Sequence, residues 1–156
     1  MNKRLNSEIG SVYTIKTTLG YGVFQSVAMS ESQIDIVRVL PSFLTSLDEF
    51  SPTLLESKER YFIKMHVILA CDRGLIESIG IFDLPKNVKI PYKFRSLDFN
   101  PYKGWRKWYV INERLNSRKL VTKIDDQFLT LSSFGIWNPA LLKERLEEGW
   151  SLESWV

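Results

Sequence analysis

Apolar and polar residues alternate through SVYTIKT, placing Val12, Thr14 and Lys16 on one side and Tyr13, Ile15 and Thr17 on the other. A period of two is that of a half-buried strand. Gly20 and Gly22 follow as turn or bulge positions, and a second strand runs through Val23 to Met29. QIDIVRVL sets Ile34, Ile36 and Arg38 against Asp35, Val37 and Val39 and predicts a third strand. Pro41 ends it, because a proline has no N–H to give to a ladder. Three strands joined by short turns imply an antiparallel meander.

From Thr45 the pattern becomes helical in short pieces. Thr45 and Ser46 cap a turn carrying Asp48 and Glu49, and Ser51 with Pro52 starts another that the proline keeps separate. RYFIKMHVILACD is dense in aromatic and branched residues and predicts a long strand, central to the sheet. Residues 82–104 hold three of the six prolines and little periodicity, which predicts a long, partly ordered connection. WRKWYVIN and RKLVTKI flank the polar ERLNS as a hairpin. WNPALLKERLEEGW carries the clearest helix signal: Asn138 as N-cap, Pro139 at the first position, Leu142 and Leu146 four apart, and Gly149 as the stop. The elements predict one α+β domain over residues 1–156, a bent antiparallel sheet or partial barrel with short helices and a C-terminal helix.

At 156 residues and 44% apolar content, the chain is long enough for one hydrophobic core. Its longest apolar stretch, residues 65–71, is interrupted by His66 and falls far short of the ~20 residues that cross a bilayer. MNKRLNSEIG is basic but lacks the apolar run of a signal peptide, so a cytoplasmic protein with no membrane contact is expected. The single Cys71 excludes an internal disulfide and a cysteine zinc cage. The net charge of +3 hides a division: residues 57–123 carry fifteen basic and six acidic side chains, while both flanks are net acidic. A basic centre fits a polyanion, an acidic protein, or a solvated face against which the flanks fold.

Catalytic chemistry finds little to work with. The lone His66 sits in an apolar strand pattern, where a hydrogen-bonded structural histidine is the ordinary reading, and strand alternation turns Cys71 to the other face. No H-x-x-x-H, C-x-x-C or D-x-D-x-D-G spacing occurs, and Gly20 to Gly22 lack the following helix of a phosphate loop. A non-enzymatic protein with no metal and no cofactor is expected. What remains is PYKGWRKWYVI. As a strand it puts Trp105, Lys107, Tyr109 and Ile111 on one face and Arg106, Trp108 and Val110 on the other. Trp108 is expected to be structural, while Lys103, Arg106 and Lys107 reach solvent and contact a partner. The acidic segments around Asp48 and Glu49 or Glu147 and Glu148 are the alternative contact. Aromatics beside cations also suit single-stranded nucleic acid, which makes a nucleic-acid-binding domain over residues 86–123 the competing class, although no RRM, KH or helix-turn-helix motif accompanies them.

The order of these features resembles the immunity protein 26 family of bacterial polymorphic-toxin systems. The resemblance rests on GSVYTIKTTLGYGVFQSV, the central apolar strand, GWRKWYVI and NPALLKERLEEGW, which are patterns of hydrophobic, glycine and tryptophan positions spread along most of the chain. Ser11 stands where the family pattern has an acidic residue. The resemblance implies a small cytoplasmic inhibitor that neutralises a cognate protein toxin by binding it. It fixes no functional residues, since each such protein is matched to its own toxin.

Overall fold

The computed structural model describes residues 6–156; the first five, part of the basic opening segment read above, lie outside them. The alternating start of the chain forms β1 (Ser11–Thr17), β2 (Gly20–Met29) and β3 (Asp35–Leu44), an antiparallel meander. β4 (Tyr61–Met65) and β5 (Glu77–Ile81) complete a five-stranded sheet of order β4-β3-β2-β1-β5. A second sheet, of order β8-β7-β6-β9, contains β6 (Lys93–Asn100), β7 (Trp105–Asn112), β8 (Ser117–Leu120) and the two-residue β9 (Ser132–Ser133), which runs parallel to β6. The helices are α1 (Val67–Asp72), α2 (Asp126–Leu129) and α3 (Pro139–Glu148). The architecture is α+β, with the strands divided over two open sheets. No described helix is long and apolar enough to cross a membrane.

β1 is covered on both faces, not half-buried, and only Lys16 is exposed. One face sends Tyr13, Ile15, Phe24, Val37, Val39 and Ile63 into the main core beneath α1 and α3. The other sends Val12, Val23 and Leu40 against Leu44 and Leu55. The turns near the helix α3 depend on glycine at two points. Gly20 has φ +116°, and a Cβ there would meet the Leu44 carbonyl oxygen at 2.6 Å. At Gly22 it would meet Leu146 of α3 at 2.7 Å, so this strand is bare where the helix lies on it. α3 begins and ends as its sequence dictates: the Asn138 side chain accepts the Leu141 N–H, and Gly149 closes the helix at φ 69°.

Four further expectations are corrected. β3 does not stop at Pro41 but runs to Leu44. Pro41 lies beyond the stretch paired with β4, where the β2 register jumps from Phe43 to Val39, so its missing N–H falls in an irregularity of the ladder. The segment RYFIKMHVILACD is not one long strand: β4 ends at Met65, and the chain turns at His66 into α1. Nor is β4 central. It is an edge, because the chain returns to pair β5 with β1 on the far side; the edge is partly closed by the Trp137 N–H on the Lys64 carbonyl at 2.8 Å and the Phe62 N–H on Ser132 Oγ at 3.0 Å. The connection expected over residues 82–104 contains β6, which pairs residue for residue with β7 from Lys93↔Asn112 to Asn100↔Trp105.

Two buried cations tie the pieces together. Arg38 donates to Gln25 Oε1 (3.0 Å), the Ser57 carbonyl (3.1 Å), the Leu55 carbonyl and Glu59, which holds the two short 3-10 turns (Leu47–Glu49 and Pro52–Glu56) and the following loop over the first sheet. Lys64 reaches Glu113 at the start of the β7–β8 turn and lies 4.3 Å from the Phe94 ring and 4.0 Å from the Phe134 ring, joining the two sheets.

Tyr61 packs its ring on Trp137 and Trp150, but its hydroxyl has no partner among the described residues. Burial pushes its pKa up to about 12. The neutral phenol is therefore favoured in the folded state: its contribution is full below the unfolded value near 10 and is lost as pH rises towards 12. Tyr61→Phe is expected to keep the ring packing and leave stability at pH 7 unchanged or higher. It should also remove on the order of 2 kcal/mol from the alkaline decline. Denaturant melts of both proteins across pH 7 to 11.5 check this, and parallel declines contradict it.

Candidate functional site

Alternation along the second sheet sorts its side chains into two rows. Arg95, Leu97 and Phe99 of β6 share a face with Val110, Trp108 and Arg106 of β7, and Lys119 of β8. Ser96 and Asp98 share the other with Tyr109, Lys107 and Trp105, and with Leu120 and Arg118.

The first face is closed over its middle by α2 and by residues 150–156. Arg95 is fully buried there. Its Nε donates to the Leu131 carbonyl (3.0 Å), Nη1 to the Trp155 carbonyl (2.8 Å) and Nη2 to the Leu152 carbonyl. The guanidinium is surrounded by the rings of Trp155 (4.7 Å), Phe128 (5.1 Å) and Trp108 (5.6 Å). Burial pulls its pKa down to about 10, opposed by the charge of Glu153. The rings continue as a chain from Phe128 through Trp108, Trp155 and Trp150 to Trp137 and Tyr61, so four of the five tryptophans serve one packed seam. Trp108, 8% exposed, is structural, as its place in the alternation implies.

The opposite face is open over Trp105, Lys107, Tyr109, Arg118 and Leu120. Lys107 Nζ lies 4.7 Å from the Trp105 ring, and the Arg118 guanidinium lies 3.9 Å from the Tyr109 ring while it pairs with Asp98. The turn that carries this face is built locally: Asn100 Oδ1 accepts the Tyr102 and Lys103 N–H groups, both at 3.0 Å, and Gly104 takes φ 69°. Tyr102 stands almost free of the protein at 97% exposure.

Lys103, Arg106 and Lys107 are all exposed, as expected, and belong to one hairpin. They do not share one face. Lys107 is on the open side, whereas Arg106 is on the Arg95 side, 5.9 Å from the Trp108 ring and 3.4 Å from the Val156 carbonyl oxygen. Asp48 and Glu49 sit elsewhere, in the turn that follows β3. Glu49 is engaged there by the Thr45 N–H (3.2 Å) and hydroxyl, while Asp48 is exposed. Tyr109 was placed beside Trp105 and Lys107 by alternation, but Arg118 and Leu120 were not singled out from the sequence; extending the same alternation across the turn to β8 is the signal that finds them.

His66 is exposed at the start of α1 rather than buried in a strand, and Cys71 lies inside that helix, partly buried. Among the described residues, no group of three or more His, Cys, Asp or Glu is placed to hold a metal ion. The arrangement on the open face offers apolar ring surface bordered by fixed cations, which suits recognition of a surface more than chemistry on a small molecule. No protein-family model matches the chain, and no curated protein or solved structure is significantly similar to it.

Proposed function

We propose that this chain is a cytoplasmic, non-enzymatic immunity protein that neutralises a cognate bacterial toxin by stoichiometric binding, with the open face of the β6–β8 sheet as its contact surface. The observation that carries the proposal is the cluster of Trp105, Lys107, Tyr109, Arg118 and Leu120 on one exposed sheet face. Tryptophan, tyrosine and arginine are the commonest anchors of protein interfaces, and here paired strands hold them before any partner arrives. The sequence resemblance to toxin-immunity proteins supplies the partner class, and the excess of cations favours an acidic patch on it.

Nucleic acid is the second reading, favoured by the same cations. It is the weaker of the two, because Trp105 and Tyr109 each already carry a cation of this chain beside the ring, which leaves less ring surface for bases to stack on.

The test is the double reversal Lys103→Glu and Lys107→Glu, with Arg106 on the opposite face left unaltered, assayed with the cognate toxin domain. Melting is expected to be unchanged and affinity to fall by about tenfold or more. Full affinity in a folded variant would move the contact elsewhere, with the turn at Asp48 and Glu49 next in line. Binding to an oligonucleotide that exceeds binding to the toxin and collapses with added salt would favour the second reading.

A further inference from the structure

On the side of the second sheet away from Trp105 and Tyr109, two concavities of about 540 and 580 Å3 meet. They share Lys93, Thr130 and Leu131, so they form one continuous groove. One end is walled by β7, β8 and residues 121–123, the other by residues 56–59 and 87–92. Five lysines line it: Lys58, Lys89, Lys93, Lys119 and Lys123. All are exposed, and none is ion-paired with a described residue. Of the three carboxylates along the groove, Glu59 is engaged by Arg38 and Asp125 accepts the Phe128 N–H that caps α2. With Glu59 paired to Arg38, Glu56 and Asp125 are left to face five lysines, so the groove keeps an excess of positive charge and asks for an anion.

Two further features select which anion. The floor is mainly aliphatic, made by Val88, Ile90, Val110, Val121 and Leu131, with Phe62 half-buried at one end and Phe128 buried at the other. Its one partly exposed tyrosine, Tyr92, has the Arg114 guanidinium 3.8 Å from its ring. With Phe128 buried, Phe62 half-buried and Tyr92 already beside a cation, a nucleic acid finds cations but little free ring face to stack on. The main-chain N–H and C=O groups of Lys89, Ile90, Thr122 and Lys123 make no hydrogen bond to another described residue, although they border the groove. Unpaired main-chain groups beside an apolar floor are what an extended peptide uses, its backbone bonding to the rim while alternate side chains point down and up.

We propose that this groove binds an extended acidic polypeptide segment, with carboxylates on the five lysines and apolar side chains on the aliphatic floor. The groove adjoins the open hairpin face only at Leu120, on the β8 edge of the sheet, and stands whether or not that face meets a toxin.

Fluorescence anisotropy of a labelled ten-residue peptide alternating glutamate and leucine tests it, with the matching lysine–leucine peptide and a deoxythymidine decamer as controls. The glutamate peptide is expected to bind best and to weaken with salt. The triple variant Lys89→Glu, Lys93→Glu and Lys123→Glu should weaken it by about tenfold or more, as loss of several complementary charges does. Lys107→Glu, on the other face, should leave it within about twofold, so that a failure here is separate from a failure of the hairpin contact. Amide shifts in the unaltered protein give a second reading that needs no variant: the peptide should move the signals of residues 89–90 and 122–123. Absent binding, tighter binding of the decamer or the lysine peptide, equal binding by the folded triple variant, or shifts confined to other residues would each overturn the proposal.

Discussion

Trp108→Ala is expected to lower the stability of this protein by about 3–5 kcal/mol, the range for deleting a buried large aromatic side chain. The indole is 8% exposed and packs edge-on against Phe128 at 5.4 Å and Trp155 at 4.9 Å, with the Arg95 guanidinium 5.6 Å from its ring. Truncation leaves a void that neither partner fills without moving, because each is already committed to a further contact in the ring seam. Trp105→Ala is the matched control three residues away. That ring is 36% exposed on the open face, so its loss should remain within about 1 kcal/mol. Urea denaturation of the two variants decides the matter, and equal losses would show that Trp108 is not part of the core.

The second large effect is expected at Arg95. Arg95→Met keeps much of the side-chain volume but leaves the carbonyls of Leu131, Leu152 and Trp155 without their donor. A buried acceptor stripped of its partner costs roughly 1–3 kcal/mol, and partial compensation by apolar packing leaves a net loss of about 3 kcal/mol. The loss should also be local. Residues 150–156 are expected to exchange amide hydrogens faster while β1 to β3 keep their protection. Arg95→Lys should behave similarly, since an ammonium group cannot reproduce the spread of a guanidinium over three separate carbonyls. Unchanged exchange in residues 150–156 of both variants would dismiss Arg95 as the clamp of that segment.

How much of this was legible in the sequence depended on whether a local rule or a distant partner decided each feature. α3 could be read to the residue because Asn138, Pro139 and Gly149 each act within one turn. β1, β2 and the β7–β8 hairpin followed from alternation and turn residues alone. The helix α1 was hidden because Val67 and Ile68 read as strand, and only the turn at His66 and the packing of Val67 and Ala70 into the core make it helical. β6 was hidden by the prolines that flank it at positions 91 and 101, and it was recoverable only through its complete pairing with β7. Arg38, Lys64 and Arg95 gave no sign of burial, because what makes burial possible is a set of carbonyls, carboxylates and rings 13 to 70 residues away. The basic and aromatic composition of PYKGWRKWYVI was plain, but its division into a sealed face and an open one depended on the remote segment 150–156. The lysine groove draws on four separated stretches of chain and had no local signature at all.

The Arg95 clamp also sets a timetable. A chain leaving the ribosome can close the meander of β1, β2 and β3 from neighbouring residues as soon as they emerge, since each turn spans only a few positions. Arg95 instead waits for acceptors that lie 57 and 60 residues downstream. Until Trp155 has been made, the guanidinium and the Trp108 ring are covered only by Phe128 and the Leu131 carbonyl of the α2 segment, and the rest of that sheet face stays wet. The newborn protein thus passes through a period in which its first sheet is finished and its second is a sticky, positively charged flap, vulnerable to proteases and to premature partners. Residues 150–156 end that period, sealing the Arg95 face of the second sheet once they fold back onto it.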